Sequence, residues 1–249
     1  MISKKVIVCD LDGTLAVSKS ALSPEMAETI MNILPKYYFA IISGGGFAQF
    51  EKQVISQLHG DSQFFKNLYI FPTMGGMCYT YDTEVSEWKK IYDESLAEDE
   101  RKQIMDAFDY AIPKSGVDLS NPYGKLVEDR ETQVTFSGRG QEAPPEVKAD
   151  WDPDKSKRQK IVDLLKEKIP NYEFHLNGST SIDVTRQGLD KAHAIEKLQE
   201  ILKLEDENVL FLGDALFPGG NDEPAKRTGI DYIQVSDPQQ TLEILREYI

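Results

Sequence analysis

The sequence predicts an α/β protein in which a doubly wound, mostly parallel sheet is interrupted by an inserted α+β unit. Three observations carry that expectation. Short apolar runs alternate with helical stretches over the first 80 or so residues, the pattern of strands covered on both faces. From about residue 84 to residue 187 the pattern changes to pairs of adjacent strands interleaved with helices, and after Gly188 the first alternation resumes. The expected division is a Rossmann-like α/β domain of residues 1–83 and 188–249, holding an inserted α+β domain of residues 84–187.

The elements follow in order. Residues 5–10 read as a buried strand. Ser23-Pro24 starts a helix to about Leu34, a hydroxyl cap with proline in the first turn. Residues 37–43 form a second strand, residues 47–58 a second helix and residues 68–71 a third strand. Within the insertion, helices are expected over 96–112 and 153–169, with strand pairs 125–128/132–137 and 173–176/181–185. Asn177-Gly178 marks the second hairpin, and residues 137–152, rich in Gly, Pro and charge, read as a loop. The chain then returns to a helix over 190–202, a strand over 208–212, a Gly-rich loop, a strand over 231–235 and a last helix from about Pro238.

Bulk composition narrows the function. The chain has 249 residues and a formal net charge of −14, from 42 acidic against 28 basic side chains, which argues against nucleic acid or an anionic membrane as partner. Its two cysteines, Cys9 and Cys78, have no metal-ligand spacing and read as buried thiols of a reducing compartment. Met1–Lys5 leads straight into a strand rather than a signal peptide, and no apolar run approaches spanning length. A cytoplasmic protein is expected; oligomeric state is left open.

The chemistry is expected where strands end, because ligands of open parallel sheets bind outside the carboxyl ends of the strands. Asp10-Leu-Asp12-Gly13-Thr14 follows the apolar run Val6-Ile7-Val8-Cys9. Alternate strand residues share a face, so two acids at this spacing can converge, and adjacent anions repel unless a cation or proton intervenes. That suits Mg²⁺-assisted phosphoryl transfer, with one carboxylate as nucleophile and the other as general acid/base; short Asp-x-Asp turns also occur in ordinary loops. The second strand ends in Ser43-Gly44-Gly45-Gly46, where backbone N–H groups can approach a phosphate closely. Lys191 sits in the first turn of its helix, where a cation is disfavoured by the helix dipole; holding phosphate explains that placement better than a surface role beside Asp190. Gly213-Asp214 followed by Asn221-Asp222 gathers the oxygen ligands a hard cation such as Mg²⁺ takes.

Taken together, these segments resemble the motifs of the haloacid dehalogenase (HAD) superfamily: Asp10–Thr14 its first, Ser43 its second, Lys191 its third, and Gly213-Asp214 with Asn221-Asp222 its fourth. The insertion resembles the large α+β cap of the subfamily containing Cof-type sugar phosphatases, sucrose-phosphate phosphatase and eukaryotic phosphomannomutase. The resemblance implies that Asp10 attacks phosphorus and becomes an aspartyl-phosphate. Asp12 would then protonate the leaving alcohol and activate water. It implies that Ser43, Gly44 and Lys191 hold phosphate oxygens, and that Asp10, the Asp12 carbonyl and Asp214 bind Mg²⁺ with Asn221 and Asp222 ordering its shell.

Within the subfamily, Gly213–Asp222 and Ser181-Ile182-Asp183-Val184 look most like the phosphomannomutases, which makes Ser181, Asp183 and Lys19 candidate specificity residues. A mutase must also hold a second phosphate, and the corresponding cap segment departs from the mutase pattern. Ser137 stands where an arginine is expected, Pro144-Pro145 follows, and Arg139 and Lys148 are out of register. Losing bidentate arginine contacts to a dianion is costly. The sequence therefore points first to a Mg²⁺-dependent phosphatase of small phosphorylated metabolites, most simply sugar phosphates. A phosphohexomutase comes second, and a non-catalytic binding protein keeping the fold comes third.

Overall fold

A computed structural model describes residues 4–249. Met1–Ser3, on which part of the expectation about targeting rests, lie outside the described residues. The strands in chain order are β1 (Val6–Asp10), β2 (Tyr38–Ile42), β3 (Leu68–Phe71), β4 (Met77–Asp82), β5 (Glu87–Asp93), β6 (Val127–Asp129), β7 (Gln133–Ser137), β8 (Tyr172–Asn177), β9 (Ser181–Arg186), β10 (Val209–Gly213) and β11 (Asp231–Gln234). The α-helices are α1 (Pro24–Ile33), α2 (Phe47–Gln53), α3 (Glu98–Ser115), α4 (Pro145–Ala149), α5 (Ser156–Lys168), α6 (Lys191–Leu202) and α7 (Pro238–Leu245). The chain forms two compact units, one running to Asp93 and resuming over Asp190–Ile249, the other spanning Glu94–Leu189.

In the first unit, seven strands run in the order β11-β10-β1-β2-β3-β4-β5, parallel from β11 to β3 and antiparallel at β4 and β5. Period-two alternation divides the core. Ile7, Cys9, Phe39 and Ile41 pack on one face with residues of α1 and α7, while Val6, Val8, Ala40, Ile42 and Phe211 pack on the other with Ala194, Ile195 and Leu198 of α6. Burial on both faces is why these strands read as unbroken apolar runs. Helix α1 begins as expected, with Ser23 Oγ accepting the Met26 N–H.

Two expectations about the first unit are corrected. The boundaries at 83/84 and 187/188 move to 93/94 and 189/190. The first moves because Glu87–Asp93 pairs with Met77–Asp82 and adds a hairpin to the large sheet. The helix expected over 47–58 stops at Gln53 and is followed by a 3₁₀ turn over Ile55–Gln57. The Gln53 carbonyl accepts the Leu22 N–H, which draws the backbone off the helical path at Val54 (φ −116°, ψ −67°).

The second unit is a four-stranded antiparallel sheet, β6-β7-β9-β8. Its apolar core joins Val134, Phe136, Ile182 and Val184 of the sheet to Ile104 and Phe108 of α3 and Ile161 and Leu165 of α5. The stretch 137–152 is not wholly loop, since Pro145 opens the short α4. Among the described residues no helix is long and apolar enough to cross a membrane. Cys9 and Cys78 are both free and buried.

Candidate active site

Parallel register brings the expected segments to one edge of the large sheet. Asp10 pairs with Ile42 at the end of β2, so Ser43 follows directly beside it, and Cys9 pairs with Leu212, so Gly213 and Asp214 emerge on the other side. Lys191 enters from the first turn of α6. Asp190 caps that helix, its Oδ1 accepting the N–H groups of Ala192 and His193, and Arg227 grips both oxygens of Asp190 at 2.5 and 2.8 Å. The capping residue is thus fixed before Lys191 leaves the helix. The lysine is fully buried, and its Nζ donates to Asp10 Oδ1 at 2.5 Å and to Asp222 Oδ1.

Asp10, Asp214 and Asp222 each offer a carboxylate oxygen, all within 4.8 Å of one another. The loop is braced around them. Thr14 Oγ1 accepts the Asp214 N–H at 3.0 Å and donates to Asp214 Oδ1, and Asp222 Oδ2 accepts the Ala215 N–H at 2.8 Å. Gly13 is required twice over. Its φ is +98°, and a Cβ there would stand 2.7 Å from Asp214 Oδ2.

Electrostatically the cluster is overloaded with negative charge. Burial, reinforced by Asp222 and Asp214 and opposed by Lys191, pushes Asp10 up to about 8. Burial followed by repulsion from Asp222 raises Asp214 as well. Burial disfavours the charge on Lys191, but Asp10 and Asp222 outweigh it and hold its pKa above the ordinary lysine range. Acids forced toward protonation by burial first and by their neighbours' charge second form a set that a divalent cation would relieve, and all-oxygen donors suit a hard ion. The residues therefore fit Mg²⁺.

The other expected residues fall as follows. Asp12 lies outside the carboxylate cluster; its Oδ1 accepts the Lys19 backbone N–H at 2.5 Å and its Oδ2 accepts Gln49 Nε2 at 3.3 Å. It is the Lys19 backbone, at φ +59°, that meets the acid, while the residue itself is exposed. Ser43 is buried, with its Oγ accepting the Gly45 N–H, and Gly44 is half-buried beside it. Asn221 is half-buried next to Asp222.

In the second unit, Ser181 and Asp183 share the face of β9 opposite Ile182 and Val184. Asp183 is buried, and its oxygens accept Thr135 Oγ1 and Asn177 Nδ2, each at 2.6 Å. It is therefore held by its own sheet. Ser181 is half-buried, and its carbonyl accepts Arg158. Sequence reasoning missed Gln49, which no motif marks.

The family model for eukaryotic phosphomannomutase matches residues 26–249. The chain belongs to the eukaryotic phosphomannomutase family. The phosphomannomutase of Schizosaccharomyces pombe is 26% identical, with 88% of this chain and 84% of the relative covered. Phosphomannomutase 2 of Dictyostelium discoideum is also 26% identical, covering 100% of this chain and 98% of its own. Among solved structures, a Plasmodium falciparum IMP-nucleotidase superposes with a TM-score of 0.72 at 18% identity, over 99% of this chain and 68% of that one. A haloacid dehalogenase-like hydrolase from Bacteroides thetaiotaomicron gives 0.64 at 17% identity, over 99% and 100%. These likenesses fix the fold as that of the HAD superfamily, and this phosphomannomutase-family chain is an enzyme of that superfamily.

Proposed function

We propose that this protein moves phosphoryl groups on small phosphorylated sugars through Asp10, as a phosphohexomutase of the phosphomannomutase kind. The observation that carries the reading is the meeting of Asp10, Asp214, Asp222 and Lys191, drawn from segments far apart in a chain that matches mutases over nearly its whole length. This reverses the order of the two readings taken from sequence, where hydrolysis came first.

In the proposed reaction an Asp10 carboxylate oxygen forms the bond to phosphorus while the ester P–O bond breaks. The electron pair leaves with the sugar oxygen, which takes a proton from Asp12. Lys191 and Ser43 hold the phosphoryl oxygens, with the backbone at Gly44 close by. Asp10, Asp214, Asp222, Asn221 and the Asp12 carbonyl would hold Mg²⁺, which supplies neutralisation of the phosphoryl charge. Positioning and charge neutralisation dominate such transfers. In the return step a second sugar hydroxyl gives its proton to Asp12 and takes the phosphoryl group from Asp10. If water takes that place, the outcome is hydrolysis.

One observation favours hydrolysis as a second reading. The arginines of the second unit already donate within it: Arg101 to Asp129, Arg130 to Glu128, Arg139 to the Ser120 carbonyl, Arg158 to Asp152 and Arg186 to Glu100. A mutase needs cationic groups for the distal phosphate of its bisphosphate. The test is incubation with hexose 1-phosphates, with and without a hexose bisphosphate activator, following both isomerisation and inorganic phosphate. Activator-dependent isomerisation supports the mutase. Activator-independent phosphate release replaces it with the phosphatase, and inertness toward a broad phosphomonoester panel leaves only the binding protein.

A further inference from the structure

Gln49 is the one residue of the first unit that reaches the Asp12 carboxylate with a side-chain donor among the described hydrogen bonds. It stands in the first turn of α2, three residues beyond the N-cap Gly46. Its amide folds back over Gly45: a Cβ on that glycine would lie 2.5 Å from Gln49 Cδ and 3.1 Å from its Nε2. The missing side chain at Gly45 is thus the room the amide occupies. Gly45 is itself pinned, its N–H donating to Ser43 Oγ at 3.2 Å and its carbonyl accepting the Thr73 N–H at 2.9 Å. The glycine run therefore does more than admit a phosphate, since it seats a side-chain donor against the second acid of the first motif. The two oxygens of Asp12 then have separate partners, Lys19 N–H on Oδ1 and Gln49 Nε2 on Oδ2.

We infer that Gln49 is a positioning residue for proton transfer, orienting the Asp12 carboxyl toward the leaving and attacking sugar oxygens. The inference rests on the reading of Asp12 as acid and base given above. Gln49 carries no proton of its own through the cycle. Asp12 loses its proton to the sugar oxygen as the P–O bond breaks, and the resulting carboxylate keeps the Gln49 and Lys19 donors until it takes the next proton. Lys191 and the acidic cluster serve the phosphoryl charge; Gln49 serves only the proton.

That division gives a readout which mere structural support would not produce. A sugar alkoxide leaves poorly without a proton, whereas p-nitrophenolate leaves readily without one. The experiment compares wild type, Gln49→Met (equal length, no donor) and Gln49→Lys (donor restored) on a hexose phosphate and on p-nitrophenyl phosphate, with thermal melting as a control for folding. The expected result for Gln49→Met is a fall in kcat of about 10–100-fold on the hexose phosphate with KM little changed. The loss on p-nitrophenyl phosphate should be much smaller, and Gln49→Lys should recover most of the hexose-phosphate activity. Equal loss on both substrates, or no loss on either, overturns the assignment of Gln49 while leaving phosphoryl transfer intact. A wild-type protein inert to both substrates overturns the phosphoryl-transfer reading, and this assignment with it.

Discussion

The charge balance around Lys191 decides how single substitutions act. Its ammonium contacts two buried carboxylates at once, so Lys191→Met leaves Asp10 and Asp222 without their shared partner. Breaking a buried pair from one side typically costs about 3–5 kcal/mol, because the remaining charge stays buried and unpaired. We expect a loss of that order in urea unfolding, together with loss of turnover. Asp10→Asn removes the attacking oxygen but also a carboxylate whose charge burial and Asp222 disfavour, while Asp222 still pairs with Lys191. It should therefore abolish turnover while leaving stability equal or higher, and the same denaturation series separates the two effects. A third substitution lies far from chemistry. Lys203, the exposed C-cap of α6, holds φ +52°, a region where a Cβ costs about 1 kcal/mol and glycine does not. Lys203→Gly should raise the unfolding free energy by about 0.5–1 kcal/mol, with kcat unchanged.

Elements show where sequence reading succeeds and where it fails. β1, β2, β3 and β10 are legible because both faces are buried and they are apolar almost throughout; Asp10, which ends β1, and Asp214, which follows β10, are conspicuous for the same reason. β5 is hidden. Its sequence Glu87-Trp88-Lys89-Lys90-Ile91-Tyr92-Asp93 alternates exposed with half-buried residues at the sheet edge, so its pattern is diluted by charge. Gln49 is hidden more deeply, because its partner Asp12 lies in another segment and its space depends on a neighbouring glycine. Arg158 is likewise invisible among the charges of α5, yet it is fully buried. It bonds Asp152 through Nε at 2.7 Å and reaches the carbonyls of Asn177, Gly178 and Ser181, tying the helix to the β8–β9 turn. Arg158→Leu would take the charged partner of the buried Asp152, leaving it the backbone N–H groups of residues 157 and 158, and should cost about 3–5 kcal/mol. Hydrogen exchange should locate the loss in the β8–β9 turn, and unchanged protection there would refute the role given to Arg158.

For the whole molecule, the pH dependence of stability is set by competing contributions that one side chain can separate. With a net charge of −14, general self-repulsion eases as acids protonate, which favours the folded chain as pH falls from neutrality. Arg186 introduces the opposite trend. At the end of β9 it donates to the carbonyls of Glu94 and Ser95, where the chain passes into the second unit, and pairs with Glu100. Its hydrogen bond holds Glu100 below the ordinary glutamate range, outweighing burial, and the Ala97 N–H adds to the effect. A carboxylate with a depressed folded pKa contributes stability above its unfolded value, and that contribution disappears as pH falls through the folded one. The pair is partly exposed, so the effect is a modest slope rather than a collapse. Glu100→Gln keeps the side-chain length and removes the titration. Melting curves between about pH 6 and pH 3 should therefore show a shallower decline for the variant than for wild type, starting from a lower stability at pH 6. Parallel curves would mean that the Arg186–Glu100 contact carries no linkage, and that the acid limb belongs to the many other carboxylates of this chain.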